Sequence, residues 1–157
     1  MGRDHSYEAR VIWSGGAAGG TTSYAAYSRE YRVEIAGKPP LRGSADPLFR
    51  GDPALHNPEE LLVIALSTCH MLSYLGEAAR AGLEVLGYVD RASGSMRLEG
   101  GGGRFTEVVL HPVVSVAAGS DLALARRLHE RAHADCFIAS SVNFPVRCDA
   151  TVRGSTG

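Results

Sequence analysis

Apolar and polar positions alternate loosely over residues 7–13, and residues 23–35 are rich in Tyr, Val and Ile. Alternation with a period of two and an excess of aromatic and β-branched residues are typical of strands. The glycine-rich segment between them favours a turn, so the pattern predicts an N-terminal β-hairpin. Residues 41–56 are rich in Gly and Pro and are predicted to form an ordered loop that carries Arg42 and Arg50.

A long helix is predicted to follow this loop. Asn57 suits the N-cap, Pro58 suits the first helical position, and Glu60 completes a capping box with Asn57. Residues 61–66 are apolar on every face of the helix, and Gly82 provides the stop signal. A helix that is apolar all round is buried all round, so we expect a partner subunit to complete the core around it.

The remaining pattern predicts strands over residues 83–98 and 104–116, joined at a tip of four consecutive glycines. A second helix, capped by Ser120, is predicted to end near residue 134, and residues 142–152 are predicted to form the last strand. The order hairpin, helix, hairpin, helix, strand predicts an α+β fold with a mainly antiparallel sheet and a long buried central helix.

Length and charge narrow the possible functions. A chain of 157 residues is predicted to be one domain, residues 1–157, with an ordered core over about residues 7–152. Its 16 Lys and Arg residues almost balance its 17 Asp and Glu residues, and these charges are scattered along the chain. This balance argues against nucleic acid or a membrane surface as a partner.

Membrane insertion, secretion and a disulfide scaffold are not expected either. No uninterrupted apolar run reaches the roughly 18 residues that span a bilayer, and the polar N-terminal segment does not resemble a signal peptide. The three cysteines, Cys69, Cys136 and Cys148, are too few for a disulfide framework. We therefore expect a reducing compartment, the cytoplasm, in which each thiol is core filler, a ligand or reactive.

One motif in the sequence matches a known zinc-binding pattern. His129, Glu130 and His133 match the H-E-x-x-H pattern, in which two His bind zinc and the Glu acts as general base. A catalytic zinc of this kind needs a third protein ligand, yet no Glu follows Glu130 and no recognisable zinc spacing continues the motif. We interpret the match as chance on an amphipathic helix whose dipole favours His near its C-terminus, and predict no metal.

Two thiols are candidates for chemistry. Cys69 lies in the middle of the first predicted helix, and Cys136 lies just past the end of the second, where a thiol can be reached. They could form a dithiol pair, although a buried helical Cys is also a common small hydrophobe. Cys148, on the last predicted strand, is interpreted as core or surface filler.

A charged pair could support such a thiol. A thiolate needs a positive neighbour, an Arg is always charged, and a Glu can hold that Arg by a bidentate ion pair. Arg50 and Glu59 offer these groups, while Arg42 is a second candidate for the cation. Taken singly, Glu59 also fits an acid in the first helical turn, and Arg50 also fits a solvated loop residue.

Taken together, these residues resemble the signature of the OsmC/Ohr family, the osmotically inducible and organic-hydroperoxide-resistance proteins. The family pattern has an Arg-bearing loop, then Asn-Pro-Glu-Glu-Leu or Asn-Pro-Glu-Gln-Leu, then a reactive Cys ten residues after the first Glu. Here the loop carries Arg50, the motif covers residues 57–61, and Cys69 stands ten residues after Glu59. Cys136 matches the second cysteine of the family, and the order of elements agrees from about residue 7 to residue 152.

The resemblance implies a thiol-dependent peroxidase that reduces organic hydroperoxides as part of an oxidative stress response. Cys69 would be the peroxidatic thiol and Cys136 the resolving thiol, with Arg50 stabilising the thiolate and Glu59 orienting Arg50. It also implies an intertwined homodimer with active sites at the subunit interface. The reductant would be a dithiol, a lipoylated protein in the better-known branch, and no haem, flavin or metal would take part.

The spacing of Glu59 and Cys69 supports the dimer independently. On a continuous helix ten residues correspond to roughly 15 Å of rise, which a side chain cannot bridge. If both residues serve one active site, either Glu59 comes from the partner chain or the helix breaks. An alternative function remains open: the same fold could bind a small apolar ligand, or sense redox state, without peroxidase turnover.

Overall fold

The computed structural model describes residue 2 and residues 4–155, without the side chains of residues 17 and 18. The chain divides into two compact units, Met1–Leu61 and Leu62–Gly157. The ends of the predicted domain 1–157 lie outside the described residues, and the single-domain organisation stays a prediction. The mixture of helices and sheets confirms the predicted α+β class.

The first unit contains a three-stranded antiparallel sheet in the order β1-β2-β3. Its strands are β1 (Arg10–Trp13), β2 (Tyr31–Glu34) and β3 (Leu41–Gly43). Short 3-10 helices cover Gly15–Ala18 and Pro47–Phe49. The predicted hairpin is therefore present, and the segment predicted to be a loop adds a third strand to it.

The predicted strand over residues 23–35 is wrong in its first half, which forms turns and bends. The cause is Arg29, whose guanidinium lies over the rings of Tyr24 and Tyr27, at 4.6 Å and 3.8 Å from their centroids. The same guanidinium donates hydrogen bonds to the backbone carbonyls of both tyrosines. The aromatic residues that suggested a strand thus pack on a cation instead.

Helix α1 (Pro58–Arg80) begins and ends as predicted. The Glu60 N–H donates to Asn57 Oδ1 at 2.8 Å, and the Asn57 N–H donates to Glu60 Oε2 at 3.3 Å, which closes the capping box. At the other end Gly82 adopts a φ of 70°, and the Leu83 N–H donates to the Ala78 carbonyl at 2.9 Å. This is the geometry of a Schellman stop, which needs a residue that tolerates positive φ.

By length and composition alone α1 could cross a membrane, a property that core helices of folded proteins share. One side of the helix is buried in this chain, including Leu66, Tyr74 and Glu77. Glu77 is also ion-paired with Arg131 at 2.7 Å. These contacts are those of a core helix, and the absence of a membrane partner stays a prediction.

The second unit contains two three-stranded sheets, in the orders β4-β7-β9 and β5-β6-β8. The strands that form them are β4 (Val85–Asp90), β5 (Ser93–Glu99), β6 (Gly102–Leu110), β7 (Pro112–Val116), β8 (Val146–Cys148) and β9 (Thr151–Gly154). The hairpin pairs β4–β7 and β5–β6 are antiparallel, whereas β8 and β9 run parallel to β6 and β7. The sheets are thus antiparallel in the first unit and mixed in the second.

Each of the three strands predicted in this part of the chain is divided into two. At the break between β6 and β7, Pro112 has no N–H, and the His111 N–H is taken by the Asp90 carboxylate at 2.7 Å. Between β8 and β9 the Asp149 N–H returns to the Leu110 carbonyl at 2.8 Å. Each long apolar segment therefore passes from one sheet to the other.

Helix α2 (Leu122–Ala134) is capped by Asp121 and not, as predicted, by Ser120. The Asp121 carboxylate accepts the N–H groups of Ala123 and Leu124, both at 2.9 Å. Its negative charge also suits the positive end of the helix dipole, which makes it a better cap than a hydroxyl.

Two clusters form the core of the second unit. Tyr74 of α1 and Leu128 of α2 belong to the larger cluster, and Leu66 of α1 belongs to the smaller one. One chain buries only part of α1, and burial of the rest by a partner subunit stays a prediction. Leu66 is fully buried, but Ile64 is 44% exposed and Leu72 is 64% exposed.

Candidate active site

The middle of α1 and the segment after α2 bring Cys69 and Cys136 together. The Cys69 thiol lies close enough to the Cys136 thiol to help raise its pKa, although the two residues lie far apart in the sequence. Cys136 is 1% exposed, Cys69 is half-buried, and both are free cysteines. The structure thus unites the two thiols named from the sequence, while their catalytic roles stay a prediction.

Cys136 is held by the turn that follows α2. Its carbonyl accepts the N–H and the hydroxyl of Ser140, each at 3.1 Å, and its Sγ accepts the Ala139 N–H at 3.5 Å. Burial first, and then the neighbouring Cys69 thiol, raise the pKa of Cys136 to about 11, although the Ala139 and Ile138 N–H groups act in the opposite direction. Cys136 therefore keeps its proton at neutral pH and can donate it toward the Cys69 sulfur.

The two candidate cations of the first unit differ in their contacts. Arg42, on β3, is paired with Glu30 through its Nη2 at 2.6 Å and its Nε at 2.8 Å. Arg50 follows the short helix Pro47–Phe49, is exposed, and forms no ion pair among the described residues. Its φ of 65° is in the left-handed region, which few residues other than Gly adopt.

Glu59 lies in the first turn of α1, as predicted. Its Oε2 atom is buried and has no hydrogen-bond partner among the described residues. Burial, and secondly the charge of Glu59, raise the pKa of Tyr31 on the neighbouring sheet. The expected ion pair between Glu59 and Arg50 does not form within the described part of one chain, so Glu59 retains an acceptor without a donor.

A second cluster was not found from the sequence. His70 Nε2 lies 3.0 Å from His129 Nδ1, and Cys148 Sγ lies 3.5 Å from the first of these atoms and 3.8 Å from the second. His70 and His129 are 1% and 5% exposed, so both imidazoles belong to the interior. His133, the other His of the H-E-x-x-H match, is exposed, and it is Cys148 that completes the group.

The pKa values of all three residues in this cluster differ from those usual for His and Cys. Burial lowers the pKa of both His70 and His129 to about 4, so both rings are neutral at neutral pH. Burial first, and then the charges of Asp90 and Asp149, raise the pKa of Cys148 to about 12. In the chain as it stands, these are therefore two neutral imidazoles and one protonated thiol.

A weak signal for the two buried His exists in the sequence. Leu66, His70 and Tyr74 follow each other at intervals of four, which places them on one side of α1. His129 similarly follows the buried Ala125 at an interval of four on α2. This periodicity could have predicted that both rings point inward, but no linear pattern predicts that they meet each other and Cys148.

Comparison with known proteins shows the family. The profile of the family described as OsmC-like protein matches residues 51–151, which is more than half of the chain. An OsmC-like protein of unknown function from Vibrio cholerae O1 biovar eltor is 34% identical, with a TM-score of 0.84, covering 94% of this chain and 99% of that chain. The uncharacterized protein YmaD of Bacillus subtilis is 26% identical over 102 residues, which are 62% of this chain and 68% of the relative.

More distant structures share the fold. An organic hydroperoxide resistance protein from Elizabethkingia anophelis is 20% identical, with a TM-score of 0.67, and the match covers 98% of this chain and 100% of that chain. These findings confirm the resemblance that residues 57–61 and Cys69 suggested. The chain belongs to the OsmC-like protein family.

Proposed function

We propose that the protein is a cysteine-based peroxidase that reduces organic hydroperoxides to alcohols. The observation that carries this proposal is the proximity of the half-buried Cys69 thiol to the buried Cys136 thiol, which it influences electrostatically. Membership of the OsmC-like family supports a redox role. Structures named as organic hydroperoxide resistance proteins, from Elizabethkingia anophelis and Legionella pneumophila, share the fold.

The proposed cycle uses both thiols. The Cys69 thiolate attacks the distal oxygen of the hydroperoxide, the O–O bond breaks, and the alkoxide takes a proton and leaves as an alcohol. Cys69 is then a sulfenic acid. The Cys136 sulfur attacks the sulfenic sulfur to form a disulfide, and the Cys136 proton leaves with the hydroxyl as water. An external dithiol reduces the disulfide by exchange and is itself oxidised.

Arg50 is the better candidate for the cation that stabilises the Cys69 thiolate. The Arg42 guanidinium is engaged by Glu30, whereas Arg50 forms no ion pair among the described residues. Glu59 carries a buried oxygen without a donor, and a guanidinium is the donor that suits a carboxylate best. In the proposed site Glu59 orients Arg50, and Arg50 lowers the cost of ionising Cys69.

We further propose that the protein functions as a homodimer with two equivalent sites. α1 exposes Ile64 and Leu72, and β4 exposes Leu86 and Val89, which are apolar side chains of the kind that subunit interfaces cover. α1 is one unbroken helix, so roughly 15 Å of rise separates Glu59 from Cys69. Glu59 in the proposed site therefore belongs to the partner subunit, in an intertwined assembly.

The surroundings of the two thiols favour an organic substrate over hydrogen peroxide. Leu72 lies three residues after Cys69 on α1, and Phe137 follows Cys136 directly; these apolar side chains are 64% and 79% exposed. Covering each methylene of a substrate contributes about 0.8 kcal/mol, which is roughly fourfold in affinity. A reduced dithiol, such as a lipoylated protein, would regenerate the thiols, and we place this cycle in the cytoplasm, where thiols stay reduced.

The test is consumption of cumene hydroperoxide by the reduced protein in the presence of dihydrolipoamide. We expect many turnovers, a slower reaction with hydrogen peroxide, and a Cys69–Cys136 disulfide in the protein isolated before the dithiol is added. In Cys136→Ser we expect one equivalent to be consumed and a sulfenic acid to be trapped on Cys69.

Two other outcomes would contradict the proposal. Oxidation of Cys69 by one equivalent without turnover in the wild-type protein would indicate a redox sensor. No reaction of Cys69 at all would indicate a module that binds apolar ligands with inert cysteines.

A further inference from the structure

The group formed by His70, His129 and Cys148 has the geometry of a metal site. A tetrahedral zinc ion binds imidazole nitrogen at about 2.0–2.1 Å and thiolate sulfur at about 2.3 Å, which sets two nitrogens roughly 3.4 Å apart and nitrogen and sulfur roughly 3.6 Å apart. The corresponding separations here are 3.0, 3.5 and 3.8 Å. Each differs from the ideal by about 0.4 Å or less, a difference that small side-chain rotations remove.

The three donors lie on three different elements of the second unit. His70 lies on α1, His129 lies on α2 and Cys148 ends β8. The His129 ring is also stacked on the Tyr74 ring, with centroids 4.0 Å apart. Donors on three packed elements are preorganised, so little conformational entropy is lost when an ion binds.

Hydrogen bonding within the group is incomplete. Each neutral imidazole has one N–H, and a single N–H joins His70 Nε2 to His129 Nδ1. Whichever ring donates it, one outer nitrogen, His129 Nε2 or His70 Nδ1, carries a buried N–H without a partner among the described residues. Buried groups of this kind are rare and call for an explanation, of which an ion is one.

We propose that His70, His129 and Cys148 bind one Zn²⁺ ion per chain, with the fourth coordination position left to water or another small ligand. Two imidazoles and a thiolate are donors that select zinc and softer transition metals over magnesium or calcium. Cys148 is half-buried, which gives an ion and a fourth ligand a route to the site. Cys69 and Cys136 supply none of the donors, and the site is independent of the proposed peroxidase cycle.

Binding of one Zn²⁺ ion at this site releases one proton. The two imidazoles are already neutral and offer their lone pairs, whereas the Cys148 thiol must lose its proton when the sulfur–zinc bond forms. Asp90 adds negative charge near His70 and Cys148, which favours a cation. The outer nitrogens have no hydrogen-bond partner among the residues that the structure describes. Such partners usually strengthen a metal site about 10–100-fold, so we expect weaker binding than at structural zinc sites.

The experiment is a titration of the full, reduced and metal-stripped chain with Co²⁺ as a probe for Zn²⁺. We expect one ion per chain, intense visible bands of tetrahedral cobalt, and a thiolate-to-cobalt charge-transfer band, all removed by an equivalent of Zn²⁺. Cys148→Ser should abolish the charge-transfer band and weaken Zn²⁺ binding by more than about 100-fold. Because Cys148 is half-buried, this variant tests the site without emptying the core.

Two matched controls locate the ion. The double variant Cys69→Ser, Cys136→Ser keeps all three proposed donors, and His133→Gln alters only the exposed His of the H-E-x-x-H match; both should bind Co²⁺ as the wild type does. The proposal is overturned if the wild type gives no charge-transfer band, if the band survives in Cys148→Ser, or if either control loses it. None of these readouts depends on hydroperoxide turnover.

Discussion

Cys69 and His70 are neighbours on α1 but belong to different chemical environments. Cys69 is half-buried and contacts the Cys136 thiol, while His70 is buried and contacts His129 and Cys148. Consecutive residues of a helix point about 100° apart, so one turn of α1 can serve two separate groups. Adjacent residues of one helix can therefore belong to a thiol pair and to a separate group of metal-ligand residues that have no atoms in common.

The largest expected difference between the Cys69–Cys136 pair and the group of His70, His129 and Cys148 is in the rate of hydroperoxide reduction. Cys69→Ser should lower cumene hydroperoxide reduction by at least about 1000-fold, because the attacking sulfur is gone. Cys148→Ser in metal-free protein should change it by less than about threefold, since that thiol lies outside the proposed cycle. Steady-state assays with dihydrolipoamide measure both. Equal losses in the two variants would contradict the separation of the groups.

The next largest effect concerns the cation of the dithiol pair. Arg50→Ala should slow alkylation and oxidation of Cys69 by about one to three orders of magnitude, because an opposite charge of this kind shifts a pKa by about 1–3 units. Arg42→Ala should have less than about a twofold effect, since Glu30 already engages that side chain. Rates of alkylation as a function of pH compare the two; a slow Arg42→Ala and a normal Arg50→Ala would reverse the assignment.

For the free energy of unfolding we expect the opposite order: a substitution in the group of His70, His129 and Cys148 should cost more than a substitution in the Cys69–Cys136 pair. His129→Leu leaves His70 without its ring partner in the interior, which costs about 1–3 kcal/mol of unfolding free energy. Cys69→Ser replaces a half-buried thiol and should cost less than about 1 kcal/mol. Urea unfolding of both reduced variants gives the values. A neutral His129→Leu would show that the imidazole pair contributes nothing to the fold.

The two groups should also differ in the pH dependence of stability. The pKa of His70 and His129 is lowered from 6.5 to about 4, so their contribution is complete above pH 6.5 and is lost as pH falls toward 4. The pKa of Cys136 is raised from 9.0 to about 11, so its contribution is present below pH 9 and is lost as pH rises toward 11.

Urea unfolding midpoints, measured across the acid and the alkaline pH range, test the direction of each change in stability. His129→Leu should flatten the acid limb, whereas Cys136→Ser should lessen the slope of the alkaline limb, to which the raised pKa of Cys148 also contributes, and leave the acid limb unchanged. If the acid limb responds to Cys136→Ser, the two groups are coupled and the comparison fails.

The parts of the fold that could be predicted from the sequence are those that local interactions decide. The capping box of Asn57 and Glu60 and the stop at Gly82 involve neighbouring residues, and both are confirmed. The divided strands could not be predicted, because the breaks depend on distant groups such as the Asp90 carboxylate that takes the His111 N–H. The strand around Tyr27 is an exception, because Arg29, which packs on its ring, is only two residues away.

In the candidate sites, too, local features could be predicted from the sequence and contacts between distant residues could not. Cys69 could be named because its spacing from Glu59 is a linear property, whereas its contact with Cys136 depends on the folding of the second unit. His129 was paired in sequence with His133 on its own helix, but its contacts come from His70 on α1 and Cys148 on β8. Periodicity can indicate that each ring points inward, but no linear pattern shows which residues of three separate elements meet.

The parallel pairing of β8 with β6 and of β9 with β7 has a consequence for biosynthesis. Val108 pairs with Val146, and Val114 pairs with Val152, so each sheet receives its last strand only after α2 has been made. On the ribosome the nascent chain would expose the open edges of β6 and β7 until the C-terminal strands emerge. Such long-range pairing slows folding and favours aggregation, so we expect both sheets to be completed late and their open edges to be prone to aggregation until then.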